Sequence, residues 1–120
     1  MMQKLITIIN KVKEINMNIH TLYQMCQEVA QREDTTKEQL FNGVQAVYME
    51  SCRVLGKKPM TARQWERKVK KFQEKGLPVY KTSIDDMYAI TTTVSTFDES
   101  TNEDVMNGIK RMYELTLSKL

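Results

Sequence analysis

The chain of 120 residues is poor in helix-breaking residues, with only four glycines and two prolines. This composition excludes collagen-like and low-complexity proteins, and it favours long helices joined by few turns. Its two cysteines, Cys26 and Cys52, lie far apart and form no CxxC or Cys/His pattern. A disulfide scaffold and a zinc site are therefore not expected. We expect two buried free thiols, which fit a reducing compartment.

Long hydrophobic runs and catalytic motifs are also missing. No apolar stretch approaches the roughly 20 residues that span a bilayer, so we expect a cytoplasmic protein, or a nuclear one in a eukaryotic host, with no membrane partner. His20 is the only histidine, and no Gly-rich phosphate loop, HExxH or GxSxG occurs. The acidic pairs Asp85-Asp86 and Asp98-Glu99 are more typical of turns and caps than of acid–base or metal sites. We expect no catalytic residue, no metal ligand, no cofactor and no enzymatic activity.

Charge is distributed unevenly along the chain. Residues 1–52 carry five basic and six acidic side chains, residues 53–81 carry ten and two, and residues 82–120 carry three and seven. The middle segment therefore has a net charge of +8, against −1 and −4 for the segments on either side. Such a concentration of positive charge is typical of a surface that faces an anionic partner.

Apolar residues near the N-terminus repeat at alternating spacings of three and four. The stripe comprises Leu5, Ile8, Val12, Ile15, Ile19, Leu22, Cys26 and Val29. It predicts one helix or a helix pair within residues 1–32. The stripe is either a homodimer seam, formed by Leu5, Ile8, Val12, Ile15, Ile19 and Leu22, or a face packed on its own domain. Additional apolar residues such as Ile6 and Ile9 widen the face and favour the second interpretation.

Residues 36–97 are predicted to form the core of a single domain that covers residues 1–120. One helix begins at Thr35 or Thr36 and ends near Gly56, and the next extends from Thr61 to Gly76. Residues 79–82 and 88–97 are rich in β-forming side chains and predict a short β-hairpin. A C-terminal helix follows over residues 101–120. The expected fold is mainly α and resembles a winged helix-turn-helix, with a long N-terminal helical segment.

The helix after Thr61 has an apolar face and a basic face. The apolar face holds Ala62, Trp65, Val69 and Phe72, and the opposite face holds Arg63, Gln64, Arg67, Lys70 and Lys71. Basic runs are also typical of solvated helices, but the uneven charge of the chain favours binding. Arginine can pair with guanine in the DNA major groove, and lysine can hold phosphates. The expected sites for double-stranded DNA are Lys57, Lys58, Thr61, Arg63, Gln64, Arg67, Lys70 and Lys71.

The segment Gln39–Leu77 resembles the C-terminal winged-helix domain of archaeal and eukaryotic origin-recognition replication initiators. The resemblance rests on Tyr48, Cys52, Leu55-Gly56, Pro59, Thr61-Ala62-Arg63 and Gly76-Leu77. It implies a winged-helix fold and DNA contact through Thr61, Arg63, Gln64 and Arg67. Where that family has a basic wing, this chain has Ser83-Ile84-Asp85-Asp86, whose acids would repel phosphate.

Two functions remain open from the sequence. The first is DNA binding by a replication accessory protein or a transcriptional regulator. The second is a protein-interaction module, such as a small phage or virus regulator or inhibitor, that docks its basic face on an acidic partner. DNA binding through a basic helix must weaken steeply as salt is added, because bound counterions are released, and this dependence separates the two.

Overall fold

The computed structural model describes residues 19–77 and 83–120. These ranges contain five helices and no β-strand. Helix α1 is described over residues 19–31, and the others are α2 Lys37–Val54, α3 Ala62–Lys75, α4 Ile84–Ser95 and α5 Asn102–Ser118. None of the described helices is long and apolar enough to cross a membrane. The expectation of a mainly α protein is confirmed.

Reciprocal capping boxes start three of the helices. In each, a threonine hydroxyl accepts the backbone N–H three residues on, and that residue's side chain accepts the threonine's N–H; the pairs are Thr36–Gln39, Thr61–Gln64 and Thr101–Asp104. The chain then leaves α2 and α3 through glycines with φ of 65° and 88°, Gly56 and Gly76. Side chains other than glycine rarely adopt this conformation, so the glycines mark where the helices end.

The predicted β-hairpin is wrong for residues 88–97, because residues 84–95 form helix α4. Ser83 caps this helix by accepting the backbone N–H of Asp86 at 3.1 Å. The hydroxyls of Thr91, Thr92 and Thr93 donate to the carbonyls four residues earlier at 2.7–2.9 Å, so these β-formers are accommodated inside a helix. Without a hairpin the winged helix-turn-helix assignment fails. The other predicted strand, residues 79–82, lies outside the described residues.

Helices α2, α4 and α5 pack against one another, and α3 packs on the outside of α4. Their shared core is formed by buried side chains that include Leu40, Val44, Val47, Cys52, Ile84, Val105, Ile109 and Met112. At one crossing Gly108 of α5 lies directly against Thr91 of α4, and an added Cβ would sit 2.6 Å from the Thr91 Cγ2. Because α5 approaches so closely at Gly108, the neighbouring helices can cover α4 on most of its sides.

Helix α1 packs the described part of the apolar stripe against the core of its own domain. Cys26 is buried in the core, and Leu22 and Val29 pack against it. Ile19 is fully buried as well. The remaining residues of the proposed dimer seam, Leu5, Ile8, Val12 and Ile15, lie outside the described residues. Self-association through the stripe stays a prediction.

The inner face of α5 is buried over most of the helix. Val105, Ile109, Met112 and Tyr113 are buried. Leu117 and Leu120, by contrast, are exposed. Thr116, in the last turn, is still fully buried, so the helix stays packed on the core to its end.

Candidate nucleic-acid interface

Helix α3 is attached to the domain through its apolar face. Phe72 is buried with residues of α4, Val69 packs beside it, and Trp65 is half-buried against the main core. The indole N–H of Trp65 donates to the hydroxyl of Thr92 at 3.2 Å. Ala62, which was expected on this face, is exposed. These contacts orient the opposite side of α3 toward solvent.

The outer face of α3 carries the predicted basic residues. Ten of the fourteen residues of the helix are exposed, among them Arg63, Gln64, Arg67, Lys70 and Lys71. Within residues 19–77 and 83–120, the four cations among them, Arg63, Arg67, Lys70 and Lys71, form no ion pair. Their charges therefore remain available to an external anion.

Three of the predicted DNA-contacting residues, Lys57, Thr61 and Gln64, already have partners within the protein. The ammonium of Lys57 lies 2.7 Å from Asp85 Oδ1, whereas Lys58 is exposed. The hydroxyl of Thr61 and the side-chain carbonyl of Gln64 are both used in the capping box of α3. Their first role is to start the helix, and the Gln64 amide nitrogen is left for an outside acceptor.

The acids Asp85 and Asp86 lie in the first turn of α4 and not in a wing. Asp85 pairs with Lys57, and Asp86 Oδ1 lies 2.6 Å from the ammonium of Lys68 on α3. At the start of a helix both carboxylates also interact favourably with the helix dipole. The expectation that they form a phosphate-repelling wing is thus wrong: Asp85 neutralises Lys57, which precedes α3, and Asp86 neutralises Lys68 on α3. Sequence reasoning missed Lys68 because this pairing depends on α4 being a helix.

Tyr48 holds the connection that leads into α3. Its hydroxyl donates to Asp85 Oδ1 at 2.7 Å and accepts the backbone N–H of Met60 at 2.9 Å. Its ring stacks on Tyr88, with centroids 4.1 Å apart. Burial raises the pKa of Tyr48 well above its usual range, so the hydroxyl stays protonated and keeps donating. Since Met60 directly precedes the cap Thr61, this network determines where α3 begins.

Replacing Tyr48 with phenylalanine should lower the free energy of unfolding by about 1–2 kcal/mol, because the half-buried Met60 N–H loses its acceptor. Thermal and urea unfolding measure the effect. Tyr23→Phe is the matched control, since the Tyr23 ring stacks on Tyr113 but its hydroxyl bonds to no described residue. Equal losses in the two variants would show that the Tyr48 hydroxyl does not hold the connection.

No cluster of three or more potential metal ligands exists in the described part of the chain. Both cysteines are free and buried, as expected, and burial raises the pKa of each thiol. The chemistry available at the α3 surface is accordingly electrostatic: exposed guanidinium and ammonium groups on one helix face. No family model matches the chain, and neither a curated protein nor a solved structure is significantly similar to it.

Proposed function

We propose that the protein binds double-stranded DNA through the outer face of α3, in replication or in transcriptional control. One observation carries the proposal: the outer face of a peripheral helix exposes four cations, Arg63, Arg67, Lys70 and Lys71, that no described residue neutralises. Exposed unpaired cations on one helix face are the groups that displace counterions from DNA phosphates. The proposal does not depend on a wing.

The spacing of the cations suits a DNA groove. Arg63, Arg67, Lys70 and Lys71 fall on one side of α3, and the eight-residue rise from first to last is about 12 Å. The major groove of DNA is also about 12 Å wide. A helix lying in or across the groove could thus place its two ends near phosphates of opposite strands. Arg63, near the N-terminus, is best placed for a base edge.

The test is a titration of folded protein against a short duplex of random sequence across a salt series. Three phosphate contacts, from Arg67, Lys70 and Lys71, predict that log Kd changes with log salt concentration by a slope of about 2.7. Fluorescence anisotropy of a labelled duplex measures it. A folded protein that binds no duplex at low salt would contradict the proposal.

A second candidate is docking of the basic face on an acidic protein partner, and Glu66 and Glu74 favour a partner surface that also carries basic groups. Both are exposed on α3 among the cations. Phosphates would be repelled by these carboxylates, whereas a protein surface with charges of both signs could pair with them. If duplex binding is absent, this candidate becomes the better account of the α3 face.

A further inference from the structure

Lys68 differs from the exposed cations of α3, because an acid of the protein itself already pairs with it. Its ammonium lies 2.6 Å from Asp86 Oδ1, with the two side chains 37% and 24% exposed. On the helix it lies three residues before Lys71 and four after Gln64, so it borders the basic face. Solvent therefore reaches both partners of an ion pair at the edge of the proposed interface.

We propose that Lys68 is a latent phosphate contact and that Asp86 acts as its internal counterion, which sets the affinity of the α3 face. The inference rests on the proposed function. Ion pairs at an exposed surface are weak, so a phosphate can compete with the carboxylate. While Asp86 is charged, each binding event must displace it, and Lys68 adds little net affinity.

Asp86 suits this role better than Asp85. The carboxylate of Asp85 pairs with Lys57 and also accepts the hydroxyl of Tyr48, so it belongs to the network that holds the connection. The side chain of Asp86, in contrast, contacts only Lys68 among the described hydrogen bonds and ion pairs. Its charge can therefore be removed while the network at Tyr48 stays intact.

The experiment compares duplex binding by Asp86→Asn, by Lys68→Ala/Asp86→Asn and by Glu103→Gln. Asparagine keeps the shape of aspartate and removes its charge. One extra contact predicts binding about three- to tenfold tighter at low salt and a salt slope larger by about 0.9. In the double variant the gain should disappear, because the released lysine is absent.

Glu103→Gln is the matched control for net charge. Glu103 is also an exposed acid in the first turn of a helix, but it lies on α5 and forms no ion pair with a described residue. Its removal changes the net charge equally, so it should tighten binding by less than about 1.5-fold. Circular dichroism verifies that all variants are folded.

The outcomes distinguish failure of the counterion proposal from failure of the proposed DNA binding. Asp86→Asn binding no tighter than Glu103→Gln, in a protein that does bind duplex, overturns the counterion role and leaves the proposed function standing. A gain that persists in the double variant overturns the role of Lys68 in the same way. Absence of duplex binding by the folded wild type overturns both. Tightening by Asp86→Asn that Lys68→Ala abolishes supports the inference.

Discussion

Gly108→Ala is expected to destabilise the protein by about 3 kcal/mol, because the added methyl group cannot fit between α5 and α4. A Cβ at this position would lie 2.6 Å from Cγ2 and 2.9 Å from Cβ of Thr91. Thr91 is itself buried and β-branched, and its hydroxyl is bonded to the Met87 carbonyl, so it cannot rotate away freely. The helices would have to separate.

Thermal unfolding measures the effect as a decrease in Tm of about 10 °C. Asn107→Ala is the control, since residue 107 is the exposed neighbour on the same helix and alanine favours helix formation. In a Thr91→Ala background two of the three close atoms are gone, so Gly108→Ala should cost less than half as much. A Tm unchanged by Gly108→Ala alone would contradict this helix contact.

The triple variant Arg67→Ala/Lys70→Ala/Lys71→Ala should bind duplex DNA about 100- to 1,000-fold more weakly than wild type at moderate salt. All three side chains are exposed, so their removal should leave the fold intact. The salt slope should decrease by about 2.7, which corresponds to three lost phosphate contacts. Anisotropy titrations of wild type and variant over the same salt series provide both quantities.

The control removes three other exposed cations, Lys110, Arg111 and Lys119, which lie in α5 or at its C-cap. It has the same net charge as the α3 variant. If the interface is α3, this control should bind within about threefold of wild type. Equal weakening by the two variants would mean that binding follows the total charge of the protein and that α3 is not the interface.

The sequence was sufficient to predict helices α2, α3 and α5. Each begins at a threonine cap at or close to the predicted start, and α2 and α3 stop at glycines. Each also has one apolar face, so its apolar residues recur with a recognisable helical period. The same periodicity identified which side of α3 is exposed, and hence Arg63, Arg67, Lys70 and Lys71 as surface cations.

Helix α4 could not be predicted in the same way. It is buried on most sides, so its apolar residues show no helical period. The run Thr91-Thr92-Thr93 favours a strand by intrinsic preference, and only tertiary packing with the i to i−4 hydroxyl bonds makes it helical. Because the ion pairs of Asp85 and Asp86 depend on this helix, the neutralisation of Lys57 and Lys68 was also inaccessible from the sequence.

The peripheral attachment of α3 has a consequence for how such a protein can change. The outer side chains of the helix take no part in the core formed by α2, α4 and α5, which is held by residues such as Val44 and Ile109. Substitutions at exposed helix positions usually alter stability by less than about 0.5 kcal/mol. Selection, or an engineer, can thus exchange the residues that meet a partner while the scaffold beneath them tolerates the change.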